Sequence, residues 1–325
     1  MQLTKFKALT FDVYGTLIDW EAGMVNGLKP LTSQVSQSLL SNDILEAHAY
    51  HESSTQRQTP AKSYSQLLAT VYKRLAEEWG VAVDWDECLV YGQSVQCWPA
   101  FEDSASALQY LKQYFKLVVL SNVDNASFAH SNKKLQVEFD AVYTAEDIGS
   151  YKPSQLNFEY MLANLQRLGI EKVDILHTAE SMFHDHAPAN ICGLNNCWIY
   201  RRHNKDGFGA AMHPGDIPTY NFMFNQAYFY FTTCFLFLLG LALGHGRGRP
   251  GDWVCEVKVA VQGLDGGVVQ RARLRPLVPP TALHGEAQRH AADTHTLRAA
   301  QRARAHRAPA CKKSDKCYEN RREIG

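Results

Sequence analysis

The pattern of apolar and polar positions changes character several times along the chain. Residues 7–11, Lys-Ala-Leu-Thr-Phe, form a short apolar run that reads as a buried strand, with Asp12 at its carboxyl end. From there to about residue 98 the spacing is helical. Tyr64, Leu67, Leu68, Val71, Tyr72, Leu75, Ala76 and Trp79 recur at i, i+3 and i+4, which predicts one apolar stripe over residues 64–79. Gly80 stands where such a helix stops. Residues 43–57 predict a second helix, with Ser41, Asn42 and Asp43 as start signals.

After Trp98-Pro99, helical periodicity alternates with short apolar runs. Helices are predicted at 104–115, 126–136, 154–168 and 185–192, and strands at 116–120, 139–143, 173–177 and 197–200. That alternation predicts an α/β fold whose parallel sheet is covered on both faces. In such sheets ligands sit beyond the carboxyl ends of the strands. The helical stretch between the first strand and the rest reads as an inserted cap. The expected division is a core of 1–19 and 99–222, a helical cap of 20–98, an apolar segment of 223–244, and a basic low-complexity tail of 245–325, expected to be disordered.

Charge reinforces the last boundary. Up to Gly244 there are 17 Lys+Arg against 25 Asp+Glu, and from His245 onward 16 against 8. The formal net charge of zero therefore conceals two unlike segments. The uncharged run from Asn221 to Gly244 approaches the ~20 residues that span a bilayer, so a single-pass membrane helix is one expectation. The favoured one is that the protein proper ends soon after Phe224 and the rest is translated non-coding sequence. The Arg-rich tail has no interleaved aromatics and no recognisable module, so no nucleic-acid partner is expected. The opening Met-Gln-Leu-Thr-Lys-Phe-Lys has no apolar signal core, and the eight cysteines form no CxxC pair, which fits free thiols in the cytoplasm.

Four polar strings fall at the ends of predicted strands. They are Phe11-Asp12-Val-Tyr14-Gly-Thr16-Leu-Ile-Asp19, Val-Val-Leu-Ser121-Asn122, Ser150-Tyr151-Lys152-Pro153, and His177-Thr-Ala-Glu180-Ser181-Met-Phe-His-Asp185. Strand-end logic brings them to one site. In that order they resemble the four motifs of the haloacid dehalogenase superfamily, over roughly residues 6–222. The resemblance implies a Rossmann-like core with an α-helical cap inserted after the first motif. It makes Asp12 a covalent nucleophile, with Lys152 and Asp185 as its catalytic partners. Chemistry supports the residue types. A carboxylate nucleophile splits one hard displacement into two easier steps through an ester. Thr16 and Ser121 offer hydroxyls and Asn122 an amide to a substrate oxyanion, and Lys152 keeps Asp12 ionised. Asp185 can hold Lys152, activate water or bind a metal.

Tyr14 decides between members of the superfamily. Phosphatases of this kind carry a second Asp two residues after the nucleophile, as general acid and base. A phenol with a pKa of about 10 replaces it poorly, whereas a halide leaves without a proton. The string Asp-Val-Tyr-Gly-Thr-Leu looks like the type II L-2-haloacid dehalogenases, with Tyr14 lining the substrate pocket. The implied reaction turns an (S)-2-haloacid and water into a 2-hydroxy acid and halide, with no metal or other cofactor. The alternatives are a magnesium-dependent phosphatase holding its ion on Asp12 and Asp185, and a silent membrane-attached protein. A small-molecule substrate is the expected partner, with homodimerisation open. Two departures stand out. Ile44–Glu52 holds no arginine to receive a halide, and Arg57 lies further along, as a surface residue would. Glu180-Ser181-Met182 replaces the family's Ser-Ser-Asn. His177, His184 and His186 fit no zinc spacing and read as structural.

Overall fold

A computed structural model describes residues 3–225, 253–257 and 270–274. The chain divides into two units, of which the larger, Met1–Gly248 with Glu256–Gln270, holds the sheet and its helices. Six strands, β1 (Ala8–Phe11), β2 (Lys116–Ser121), β3 (Ala141–Thr144), β4 (Ile175–Ala179), β5 (Asn195–Ile199) and β6 (Phe222–Phe224), lie in the order β3-β2-β1-β4-β5-β6. Every pairing is parallel. The α/β Rossmann-like expectation is thus what the chain adopts.

The strand sequences explain why both faces are covered. Along β2, Leu117 and Val119 enter one apolar cluster, Val118 and Leu120 the other. Successive side chains point to opposite faces, so an unbroken apolar run needs a helix layer on each. On one face the helices α9 (Gln155–Arg167) and α10 (Ala187–Ile191) supply Phe158, Met161, Leu165 and Ala189. On the other, α6 (Ser104–Leu111) and α7 (Asn125–Leu135) supply Leu108, Leu111, Phe128 and Leu135. A one-turn helix, α8 (Ala145–Ile148), follows β3 and closes at Gly149 with a positive φ.

The inserted segment is helical as expected: α1 (Trp20–Gly27), α2 (Lys29–Thr32), α3 (Ser41–Gln58), α4 (Tyr64–Glu78) and α5 (Trp85–Gly92). The predicted stripe of α4 is buried from Tyr64 through Ala76, and Gly80 takes a φ of 69° just past the helix end, where a Cβ would be strained. At the start of α3, Asp43 accepts the Leu40 amide hydrogen at 3.2 Å.

Three features differ from the sequence expectations. The helix predicted at 185–192 begins earlier, as a single π-helical turn over Met182–His186 that leads into α10. Such turns break the 3.6-residue spacing and so escape periodicity. Phe222–Phe224, divided between core and apolar segment by the predicted boundary at 222, is the edge strand of the sheet, pairing Cys197 with Phe222. Three residues are too few to show a period. In the tail, Trp253–Val257 (β7) and Gln270–Leu274 (β8) form a two-stranded ribbon that the sequence expectations did not include. Gln-Arg-Ala-Arg-Leu alternates with the period of a strand, a signal outweighed in the sequence by the Arg-rich composition around it. The rest of the tail and the apolar segment beyond Asn225 lie outside the described residues. Among the described residues, no helix is long and apolar enough to cross a membrane.

Candidate active site

Parallel register sets the floor of the site. Phe11 ends β1 beside Val119 of β2 and Thr178 of β4, so Asp12 emerges between the two neighbouring strand ends. Its amide donates to Thr178 O at 3.1 Å. The chain then turns back within three residues, with Gly15 N–H bonded to Ile18 O at 2.8 Å and Gly15 at φ 95°. A Cβ there would meet the Trp20 ring at 2.9 Å, so the turn needs glycine on both counts. This turn returns Thr16 to Asp12: its hydroxyl donates to Asp12 Oδ2 at 2.7 Å and accepts the Glu180 amide hydrogen at 2.9 Å.

Lys152 is buried to 1% exposure and spends all three ammonium protons. It donates to Asp12 Oδ1 at 2.9 Å, Asp185 Oδ1 at 2.6 Å and Leu120 O at 2.9 Å. Asp185 receives a second bond at the same oxygen, from His177 Nε2 at 3.0 Å. An ionised carboxylate only accepts, so Nε2 carries a proton, and Nδ1 lies 2.8 Å from the Thr10 hydroxyl. Asp12, Lys152 and Asp185, the three residues expected to be catalytic, are therefore joined by direct hydrogen bonds. Burial lowers the Lys152 pKa, but the two carboxylates outweigh it and raise the net value. Burial works against Asp185 as well, yet Lys152 and His177 hold it well below the ordinary carboxylate range. Asp12 goes the other way: burial pushes it up, Lys152 pulls it back, and the charge of Asp185 adds to the rise.

Above this floor is a narrow cleft walled by Tyr14, Trp20, Glu52, Tyr64, Asn122, Val123, Ser181 and His184. Tyr14 lines it as expected, but its hydroxyl is turned to Ser131 Oγ at 2.7 Å and its ring packs edge-on against Trp98 at 5.7 Å. Burial raises the phenol further above its ordinary value. His184 accepts or donates with Ser181 Oγ at 3.0 Å, and burial pushes its imidazole down, toward the neutral form.

Not every expected group reaches the cleft. The Ser121 hydroxyl is buried without a hydrogen-bond partner among the described residues and does not line the cleft, because the last residue of β2 still follows the strand's alternation. Thr16 is likewise off the lining, its proton committed to Asp12. Asn122 lines the cleft, but its amide clasps the backbone of Lys152, donating to the carbonyl at 3.0 Å and accepting from the amide at 2.7 Å. This clasp fixes the lysine backbone and uses one of the two Nδ2 hydrogens. Arg57 is exposed and bonded to Ser53 Oγ at 2.7 Å. The cap side of the cleft instead carries the carboxylate of Glu52, which takes the Gln56 amide at 3.0 Å.

Sequence reasoning missed Glu52 and the positioning role of His177. Nothing local marks Glu52, an acid in an amphipathic helix. His177 sits inside β4, where a polar residue in a doubly buried strand was itself a signal. For the magnesium alternative, Lys152 holds Asp12 Oδ1 and Asp185 Oδ1, Asp185 Oδ2 is buried without a hydrogen-bond partner among the described residues, and Tyr14 stands where a further acid would. Among the described residues, no three His, Cys, Asp or Glu side chains gather to hold an ion.

Solved structures share this architecture. The L-2-haloacid dehalogenase PA0810 is 20% identical with a TM-score of 0.55, over 69% of this chain and 96% of its own. The L-2-haloacid dehalogenase from Xanthobacter autotrophicus, with chloropropionic acid covalently bound, is 14% identical with a TM-score of 0.55, over 68% of this chain and 95% of its own. The HAD-hydrolase YfnB from Bacillus subtilis, bound to magnesium, is 18% identical with a TM-score of 0.55, over 70% and 98%. At such identities the likeness is one of fold. None of the curated proteins matches the sequence. The sequence profile of the haloacid dehalogenase-like hydrolases matches residues 6–178, more than half of the 325-residue chain, and carries the first three motifs and the strand that leads to the fourth. The chain belongs to the haloacid dehalogenase-like hydrolases.

Proposed function

We propose that this hydrolase works through an ester on Asp12 and cleaves carbon–halogen bonds, as a 2-haloacid dehalogenase does. The observation that carries the reading is Tyr14. Two residues after the nucleophile stands a buried phenol, hydrogen-bonded away from the cleft, its pKa raised by burial. It supplies no acid to an alkoxide leaving group, and a halide needs none.

In the first step a carboxylate oxygen of Asp12 attacks the carbon bearing the halogen. The new C–O bond forms as the C–halogen bond breaks, and the halide leaves with the electron pair. In the second step water attacks Cγ of the ester, giving up a proton to the neutral His184 imidazole in the same cleft. Lys152 and Thr16 stand ready for the oxyanion, already bonded to the two Asp12 oxygens. The ester C–O bond breaks, His184 returns its proton to the departing 2-hydroxy acid, and Asp12 sheds its own to solvent. Asp185, held low by Lys152 and His177, is a weak base, and its part is to fix the lysine.

A single turnover in heavy-oxygen water, with enzyme in excess over L-2-chloropropionate, tests the ester. The account predicts a 2-hydroxy acid free of label and a heavy oxygen in the Asp12 peptide. Label in the product of the first turnover, with none in the peptide, would mean that water attacks the substrate directly.

A further inference from the structure

A second cavity, of roughly 340 Å³, lies beyond the carboxyl ends of β4 and β5 and shares no lining residue with the catalytic cleft. That size suits a small organic ligand. Its walls are aromatic and apolar: Trp198, Tyr200, Phe208 and Ile217, with Trp198 and Tyr200 stacked at 4.1 Å. Two acids and two bases also line it, and the bases are already paired. Arg202 bonds Glu21, Asn42 Oδ1 at 2.9 Å and the carbonyls of Asp206 and Gly207, while Lys205 reaches Glu21 Oε2 at 2.9 Å. The acids are not. Asp206 stands at the exposed rim, and Glu180, only 9% exposed, has a carboxyl that takes no hydrogen bond from any described residue. A carboxyl this little exposed is costly to keep charged unless a cation meets it.

We propose that this cavity binds a small organic cation, an amine or amidine on an apolar body, with Glu180 as its counter-ion and Trp198, Tyr200 and Phe208 as its walls. Aromatic faces attract a cation, and a buried carboxylate supplies the opposite charge at one end. Four charged groups act on the Glu180 pKa: Glu21 on α1, Asp12 beyond β1 and Asp185 in the π turn, all raising it, and Arg202 beyond β5, lowering it, while Lys205 and Asp206 line the same cavity. Burial is the largest influence, and together they push the carboxyl up to about 8. At neutral pH the empty site is therefore charge-neutral at Glu180, and an arriving cation expels a proton.

Benzamidine titrated calorimetrically into the full chain tests this, from about pH 6 to about pH 9 and in two buffers of different ionisation heat. One site is expected. Below the Glu180 value of about 8, the affinity rises about tenfold per pH unit and one proton is released, and above it the affinity levels. Benzoate, the same ring with the opposite charge, binds more weakly. Glu180→Gln and Tyr200→Ala each weaken benzamidine about tenfold or more at the plateau, and Glu180→Gln abolishes proton release. Asp12→Asn keeps the plateau affinity and moves the rise to lower pH, because the Asp12 charge raises the Glu180 pKa, and this separates the cavity from the anionic cleft. Several results overturn the proposal: no heat up to about 10 mM, tighter binding of benzoate, a flat pH profile, or binding lost in Asp12→Asn but kept in Glu180→Gln. The parent's pH profile decides the matter even if a variant fails to fold.

Discussion

Thr16 donates its hydroxyl proton to Asp12 Oδ2 at 2.7 Å, and that bond orients the Asp12 carboxylate. With Lys152 on the other oxygen, the carboxylate is fixed in rotation at the end of β1. Thr16→Val keeps the shape of the side chain and removes the donor. A hydrogen bond to a charged group contributes about 1.5–3 kcal/mol, so kcat should fall by roughly ten- to a hundredfold while the fold survives. The pH profile separates this from simple damage. Asp12 must be ionised to attack, and its pKa is raised, so activity should disappear on acidification with a midpoint above the ~3.9 of an ordinary aspartate. Thr16 lowers that pKa, so the valine variant should move the acid limb higher still. An unmoved limb would show that Asp12 does not govern it.

Lys152 neutralises two buried carboxylates at once. Lys152→Met leaves both without a counter-charge, a change expected to cost about 3–5 kcal/mol of stability and to abolish turnover. The Asp185 contribution to the pH dependence of stability should reverse sign. In the parent, Asp185 is depressed, so its contribution is present above the unfolded pKa and lost as the pH falls. In the variant, both carboxyls are raised by burial, so stability should grow as the pH falls toward their protonation. Thermal melts across pH read this directly, and a variant that melts like the parent at every pH would contradict the assigned linkage.

Glu52 places a negative charge on the cap side of the cleft, where the dehalogenase resemblance calls for an arginine. A substrate carboxylate must enter against it. Two like charges about 4 Å apart at an effective dielectric of ~20 repel by about 4 kcal/mol, of which even a third is a factor of ten. Glu52→Gln should therefore lower KM for L-2-chloropropionate about tenfold. The parent should also turn over the uncharged amide of that acid with the lower KM of the two. Equal KM values for acid and amide would place Glu52 out of contact with the substrate.

That Asp12, Lys152 and Asp185 would meet was legible because the segments that follow the parallel strands β1, β3 and β4 all emerge at the same end of the sheet. The fates of Ser121 and Asn122 were not. A one-residue phase along β2 sends the first hydroxyl into the interior and leaves the second side chain to clasp Lys152. Motif spacing carries no information about that phase. Glu52 reaches the cleft only through the packing of the cap, a contact with no trace in local periodicity. His177 was read as structural, and it does serve from inside β4, but what it holds is Asp185, which ties it to the site. The edge strand Phe222–Phe224 was hidden by its brevity and by the uncharged run it opens.

Halide release from L-2-chloropropionate by the full chain, with EDTA present and beside its Asp12→Asn variant, measures the central claim most directly. The account predicts release that survives EDTA in the parent and vanishes in the variant. Release that persists in Asp12→Asn, that requires magnesium, or that is absent from the parent would contradict it.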